Sequence, residues 1–518
     1  EDMDGFGTQL LRMGLGGKRI AVIGENRYEW AVTYLSVVNG VGVIVPIDRE
    51  LPATEVEELL RQANAEAVVF SKKYSDSISE MSSRLPKLQT LICMDDESED
   101  GFWPLVDEGR RAVQAGDHSY QEASIDPECM SILLFTSGTM SVAKGVMLSH
   151  KNIVTNLMNM CKQIDITIDD VFLSVLPLHH TYECTCGFLM PMYKGACIGY
   201  CEGLKYIQKN LQEIQPTFFL GVPLIFESLY KTIWKNIRKQ GKEATVKKVM
   251  KLNKTTSKFG LNLNKLLLKD ILKVFGGRMD MMIAGGAAID PQILQFFRDL
   301  GIMALQGYGL TECAPMAALN QDIEPRNDSV GHVLPGMEVM IADKDEDGIG
   351  EICLKGPNVM LGYYHMPEET AKVIVDGWFH TGDLGYTDGP YIYITGRKKN
   401  VIITANGKNV FPEELEYYLG KSTLVSESMV WASQDADGQD AVIVATIKPD
   451  MEEVEAELGK EAAQDPKKVE ALLWSMVDKV NANLPLFKKI RRINVRKEDF
   501  EKTTGKKIKR FVESNKQQ

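Results

Sequence analysis

With 518 residues, 44% of them hydrophobic and 25% charged, the chain has room for about three domains and an ordinary core-forming composition. A net charge of −12 argues against general nucleic-acid binding, and nine scattered cysteines argue for a reducing compartment rather than a disulfide scaffold. No run of about 18 or more apolar residues is present to span a membrane. The chain opens EDMDGFG without an initiator methionine, so a further N-terminal piece is expected ahead of it.

In chain order, KRIAVIG predicts a buried strand and EWAVTYLSVVNG a helix ending at Gly40. GVIVPID and AEAVVFS continue the alternation, which predicts parallel sheets with covering helices. The apolar run Ile132–Phe135 then empties into TSGTMSVAKG, small and hydroxylated residues ending at Lys144 and Gly145. A buried strand that delivers hydroxyls, loop N–H groups and a lysine is suited to gripping an anion. It is not a Walker P-loop: Ala143 replaces the second glycine, and Gly145 stands where the magnesium-binding Ser or Thr belongs.

Farther along, Cys184, Cys186, Cys197 and Cys201 crowd together, but a zinc site wants paired CxxC-like knuckles. The intervening GFLMPMYKGACIGY is apolar like a buried strand, so these read as buried thiols. Strand signals recur in DVFLSVLPL, PTFFLGVP and MDMMIAGG. One helix is well punctuated, with Asp290 as N-cap, Pro291 at its first position and Gly301 beyond its end. The loops flanking it, IAGGAA and QGYGLTE, are candidate site loops, because such sheets bind ligands at the carboxyl ends of their strands.

After about Glu324 the texture becomes short antiparallel strands with Gly and Asp turns. It changes again at the charged turn Arg397-Lys398-Lys399, beyond which a small α+β domain is expected. Two segments are strongly basic. Lys231–Arg278 holds fourteen Lys/Arg against two acids, and Phe487 to the end holds twelve against four.

Five ordered motifs, TSGTMSVAKG, GYGLTECAP, GWFHTGDLGY, GRKKNVIITANGKNVFPEELE and KTTGKKIKR, resemble the adenylate-forming enzymes. LPLHHTYE and FFLGVPLIFESLY are similar to the long-chain fatty acyl-CoA synthetase branch of that family. The resemblance covers nearly the whole chain. It implies an α/β fold with a large N-terminal domain, 1–396, of two mixed or parallel sheets with covering helices. A small β-barrel-like subdomain at about 325–396 and a small mobile α+β C-terminal lid, 397–518, complete it. It also implies a two-step reaction: a fatty acid attacks the α-phosphate of Mg-ATP, and coenzyme A then displaces AMP.

The same resemblance assigns roles. Thr136, Ser137, Gly138, Thr139 and Lys144 would grip the β- and γ-phosphates. Gly286 and Ala287 would lie against adenine and the acyl carbonyl. Tyr308 would stack on adenine with Gly309 beside it, although a buried aromatic there could equally be core. Thr311 would touch phosphate, and Glu312 would hold Mg2+, a hard cation that favours oxygen. Asp383 would accept the ribose hydroxyls, with Arg397 as a second nucleotide contact, a turn Asp and a surface Arg being the plain alternatives. Lys399 would be the hinge, and Gly407 would open the pantetheine channel. Lys507, preferred over Lys506, would bridge carboxylate and α-phosphate, against the alternative of a basic solvated tail. His180 would gate the acyl pocket, or be a satisfied core histidine.

Gly221, Val222 and Pro223 would wall the acyl pocket, and no acid precedes Glu227 there to pair with an amino-acid ammonium. An apolar pocket favours a hydrocarbon tail at about 0.8 kcal/mol per buried methylene. The apolar residues among the lysines of Lys231–Arg278, such as Ile233, Trp234, Ile237 and Val246, suggest peripheral contact with anionic lipid from the cytoplasmic side, with a solvated helical face as the alternative. Two other functions stay open. One is an acyl-adenylating enzyme that loads a carrier protein. The other is a non-catalytic nucleotide- or acyl-binding homologue, suggested by Met140, Ser141 and Ala143 in place of the family's usual loop residues.

Overall fold

The structure is a computed structural model that describes residues 1–136, 143–256, 269–404, 408–434, 441–502 and 508–516. The chain folds into two compact units, 1–339 with 354–379 and 389–392, and 340–353 with 380–388 and 393–518.

The first unit is an α/β body with two sheets. One has the order Gly362–Tyr363, Lys144–Ser149, Met130–Thr136, Val43–Pro46, Arg19–Ile23, Ala67–Phe70, Thr90–Cys93. Its last five strands run parallel and the first two are an antiparallel edge. The other runs Cys197–Tyr200, Val171–Ser174, Phe218–Gly221, Met281–Ala284, Met303–Gly309 in parallel. It turns antiparallel at Met316–Leu319 and His332–Val333. The central parallel strands are mostly Val, Ile, Leu, Phe, Met and Ala because both of their faces are buried. Ile20, Val22, Val68 and Val69 have no exposed surface.

Helix Pro291–Asp299 starts where expected: the Asp290 carboxylate accepts the Gln292 N–H at 2.8 Å. Gly301 follows at φ +91°, and Ile293, Leu294, Phe296 and Phe297 form its buried face.

The expectation for the cysteine segment needs correction. The apolar run after Cys184 is not one strand: Tyr182–Leu189 is a π-helix, Met190–Lys194 an α-helix, and only Cys197–Tyr200 is extended. Cys184 and Cys186 are buried as expected, but Cys197 is exposed and Cys201 half-buried. In the basic segment, Ile233, Ile237 and Val246 are buried, and Trp234 packs against Tyr230 and Phe296. The helix Pro223–Lys239 therefore spends its apolar side on the protein core and shows solvent Lys231, Lys235, Arg238 and Lys239.

The second unit has its own core. Val425–Gln434 pairs antiparallel with Ala441–Pro449, which pairs parallel with Arg492–Val495. Helices Pro412–Gly420 and Pro466–Asn481 contribute Leu415, Leu419, Leu473 and Val477 to a cluster with Val430, Ala445 and Ile447, all without exposed surface.

Candidate functional site

In the first unit, the loops at the carboxyl ends of the parallel strands are tied to one another side chain by side chain. After Arg19–Ile23, Asn26 donates to Ser174 Oγ at 3.1 Å and to the Leu176 carbonyl at 2.7 Å, and its own Oδ1 accepts the Leu178 N–H. After Val43–Pro46, Asp48 lies 3.5 Å from His179 Nε2. These contacts hold the loop Val175–His180, which leaves the strand Val171–Ser174, in one course.

His180 ends that loop exposed at the surface, and its Nδ1 accepts the Tyr182 N–H at 3.2 Å. That leaves Nε2 as the proton-bearing nitrogen of the neutral ring. Next in the chain, the Thr181 hydroxyl is 3.5 Å from the Thr311 hydroxyl. Tyr182 reaches the strand Met281–Ala284 and donates to the Ile283 carbonyl at 3.0 Å. Its ring lies so close beneath Gly285 that an added Cβ would meet Cζ at 2.8 Å. Gly286, at φ +84°, then turns the chain outward, and Gly286, Ala287 and Ala288 are exposed. The AGGAA loop is thus a surface ledge propped by a tyrosine.

Met303–Gly309 ends in the residues from Tyr308 to Glu312. Tyr308 is enclosed, with 7% of its surface exposed. At Gly309 a Cβ would fall 2.4 Å from the Pro315 carbonyl oxygen, so only glycine fits the return of the chain. Thr311 and Glu312 sit half-buried in the short turn Thr311–Cys313. The Glu312 carbonyl accepts the Met360 N–H at 2.8 Å, and its carboxylate accepts the Tyr363 hydroxyl at 2.9 Å. Burial, reinforced by the Glu312 charge, pushes the Tyr363 phenol far up, so it stays a donor.

Tyr363 also links this turn to the anion hairpin. It pairs across the sheet edge with Val146, and Lys144 Nζ stands 4.8 Å over its ring. Lys144 lies opposite Thr136 in the register, with the Thr136 hydroxyl 3.4 Å from its carbonyl. Its ammonium group is paired with Glu369 Oε2 at 2.8 Å. Ser137, Gly138 and Thr139 lie outside the described residues, as do Gly407 and Lys507.

Thr136, Lys144, His180, Gly286, Ala287, Tyr308, Gly309, Thr311 and Glu312 therefore all belong to the first unit. The links through Tyr363, Thr181 and Tyr182 join the hairpin, the Thr311 turn, the His180 loop and the Gly286 ledge. Asp383, Arg397 and Lys399 belong to the second unit. There Asp383, 3% exposed, takes Arg397 Nε on Oδ1 at 2.7 Å, and the Thr381 hydroxyl accepts its N–H. The two expected nucleotide contacts of that unit are thus each other's partner. Lys399 is exposed on the turn Lys398–Asn400.

Sequence reasoning missed Tyr363, Glu369, Thr181 and Tyr182. Their only signal was proximity in the chain to a motif, for Thr181 and Tyr182 beside His180. Nothing in the sequence placed Tyr363 or Glu369 beside Lys144, more than 200 residues earlier.

Among the described residues no group of three or more His, Cys, Asp or Glu could hold a metal alone. Glu312, with one oxygen fixed by Tyr363, fits the different habit of magnesium, which takes one or two carboxylates together with phosphate oxygens and water.

The family described as AMP-binding enzyme matches residues 1–364. The long-chain-fatty-acid–CoA ligase FadD15 of Mycobacterium bovis is 27% identical over 541 residues, covering 98% of this chain and 88% of that protein. The long-chain-fatty-acid–CoA ligase 1 of Cavia porcellus is 27% identical over 484 residues, with 86% and 68% covered. The solved structure of ATP-bound MatB from Rhodopseudomonas palustris is 25% identical and superposes with a TM-score of 0.75, covering 98% of this chain and 90% of that one.

Proposed function

The chain belongs to the AMP-binding enzyme family, and from that premise we propose that it is an ATP-dependent acyl-CoA synthetase for medium- or long-chain fatty acids. In the first step a fatty carboxylate oxygen attacks the α-phosphorus of ATP. The bond from that phosphorus to the bridging oxygen breaks, and pyrophosphate leaves. In the second, the thiol sulfur of coenzyme A attacks the acyl carbonyl, the mixed anhydride opens, AMP departs and the thiol proton passes to solvent.

Each step asks for fixed positive charge and donors where negative charge grows. Lys144 and Thr136 serve the departing phosphates, together with Ser137, Gly138 and Thr139. The Thr311 hydroxyl, backed by Thr181, faces phosphate. Tyr363 keeps the Glu312 carboxylate turned for magnesium, which when bound offsets phosphate charge. Tyr308, Gly309, Gly286 and Ala287 line the adenine side, and His180 is the gate between the acyl pocket and the thiol's path. Asp383 serves the ribose, and Arg397 is a second nucleotide contact. Residues 397–518 act as the mobile lid, with Lys399 its hinge, Lys507 its cation for the first step and Gly407 its opening for the pantetheine arm in the second.

The observation that carries this reading is the run of contacts from Lys144 over Tyr363 to Glu312, and from Thr311 through Thr181 and Tyr182 to Ile283. Four loops that share nothing in sequence are fastened into one surface at the carboxyl ends of two sheets. The fatty acid is supported by the names of the relatives. Burial also raises the proton affinity of Glu227, which makes it a poor counter-ion for an ammonium. No described helix is long and apolar enough to cross a membrane, and the proposed setting is cytoplasmic. Contact with anionic lipid through Lys231–Arg278 would then be electrostatic, pelleting with acidic vesicles at low salt and not at high salt.

Acid-dependent exchange of label between pyrophosphate and ATP, over acids from acetate to oleate and benzoates, tests the reading. Exchange should be strongest with a fatty acid, and a thioester should form when coenzyme A is added. No stimulation by any acid would remove the enzyme. Exchange without transfer to coenzyme A would point to a carrier-protein acceptor.

A further inference from the structure

Lys144, to which the reading above gives the β- and γ-phosphates, already holds an anion of the protein's own. Glu369 Oε2 lies 2.8 Å from its Nζ, and Glu369 Oε1 takes Lys372 at 2.5 Å. The contact is built by topology. The strand Gly362–Tyr363 pairs with Val146 and Met147 beyond Lys144, and the Tyr364 N–H donates to the Gly145 carbonyl at 2.7 Å. These bonds dock the following helix, Pro367–Val373, with Glu369 on it, beside the hairpin. Its two lysine partners hold the Glu369 carboxyl down at about 2, so it is anionic at any working pH. No step of the proposed reaction uses it, and the acid that would hold magnesium is Glu312.

We propose that Glu369 is an internal rival of the triphosphate: it occupies Lys144 until the β- and γ-phosphates displace it, and so sets affinity for ATP without affecting AMP. This rests on the nucleotide reading of the Thr136–Lys144 hairpin. Both side chains are about one-third exposed, 32% and 37%, and pairs at such sites are individually weak. The rivalry should therefore be worth about two- to fivefold in affinity, and it should fade as salt screens the pair. Lys372 moderates it by sharing the carboxylate.

Calorimetric titration of ATP, AMP and inorganic tripolyphosphate into the full chain, its Glu369→Gln variant and its Lys372→Met variant tests the idea. Glu369→Gln should bind ATP and tripolyphosphate about two- to fivefold more tightly at low salt and leave AMP unchanged. Lys372→Met, which leaves Glu369 to Lys144 alone, should weaken ATP. Glu369→Gln with unchanged or weaker ATP binding overturns the proposal, as does equal tightening of ATP and AMP. If the unaltered chain binds ATP no better than AMP, the phosphate role of the hairpin fails and this inference with it. If ATP is preferred and Glu369→Gln is silent, only the rivalry fails.

Discussion

A carboxylic acid with 1% of its surface exposed, Glu183 lies on the π-helix Tyr182–Leu189, three residues past His180. Its carboxyl group packs against Gly187, where a Cβ would meet Oε1 at 2.6 Å. The Ser174 hydroxyl and the Leu176 amide are near enough to favour its charge, but neither carboxylate oxygen reaches hydrogen-bond geometry. Tyr182, Cys184 and Cys186 on its own helix and Tyr200 and Cys201 across from it are all neutral groups whose own titration it disturbs. Among the described residues no base acts on it, so burial dominates and raises its pKa from 4.5 to about 8. A raised carboxyl pKa means that folding takes up a proton between those two values. Stability is then full below pH 4.5 and is lost as pH rises through about 8. At pH 7 the loss is about 3 kcal/mol. Glu183→Gln carries no charge at any pH. Its stability relative to the unaltered chain should therefore improve by about 1.4 kcal/mol per pH unit up to about pH 8 and then level off. Urea unfolding at about pH 5.5, 7 and 8.5 measures this, and a difference that stays constant with pH would mean that the acid is not buried as described.

Elements built from uninterrupted apolar residues were legible as elements, but not always as the right kind. Met281–Ala284 and Phe218–Gly221 could be read as strands because a strand covered on both faces has no polar side to show. Asp290, Pro291 and Gly301 marked a helix because each satisfies a different end requirement. The stretch after Cys184 is equally apolar and coils instead, since periodicity disappears in a buried helix just as it does in a buried strand. The lysine-rich helix Pro223–Lys239 was legible as amphipathic, but the sequence does not say whether its apolar side meets lipid or core, and Phe296 meets it. Of the site, glycines and hydroxyls that recur as motifs were visible, whereas Tyr182 acts as a prop only because strand order puts the Gly285 ledge above it. That prop can be tested. A methyl group at residue 285 would fall 2.8 Å from the ring of Tyr182, which is buried and whose hydroxyl donates to Ile283. Gly285→Ala should displace the ring, weaken that hydrogen bond and cost about 1–3 kcal/mol, with exchange activity falling as Gly286 and Ala287 shift. Tyr182→Phe gives up the same hydrogen bond, so in the double variant the two costs should overlap rather than add. Strict additivity in denaturant unfolding would show that Gly285 and Tyr182 are not coupled.

Two compact units with separate cores suit a reaction whose halves make opposite demands. Adenylation needs extra positive charge at the α-phosphate, whereas thioester formation needs access for a bulky thiol to the acyl carbonyl. A cation that remained at the phosphate would serve the first demand and obstruct the second, which is reason to carry it on a separate body. Lys507 and its neighbours from Thr503 lie outside the described residues, but the chain on either side of them is fastened to one strand of the second unit. Before them, Lys502 pairs with Glu427 and bridges to Ile508. After them, Arg510 pairs with Glu416 and donates to the Val430 carbonyl at 2.9 Å. Glu427 and Val430 both belong to Val425–Gln434, so the described residues on both sides of that segment are anchored to the same strand. In the proposed reaction a lysine carried there would be delivered or withdrawn with the lid. Lys507→Ala should therefore lower acid-dependent pyrophosphate exchange by about a hundredfold or more, the scale for losing one preorganised charge at a transition state. Thioester formation from supplied acyl-adenylate and coenzyme A should stay within about threefold of the unaltered chain, because that step does not use the cation. Lys506→Ala, one residue away in the same basic run, should leave both steps nearly intact. Equal losses in the two steps for Lys507→Ala would mean that the lysine supports folding or general binding, and a larger exchange defect in Lys506→Ala would move the assignment by one residue.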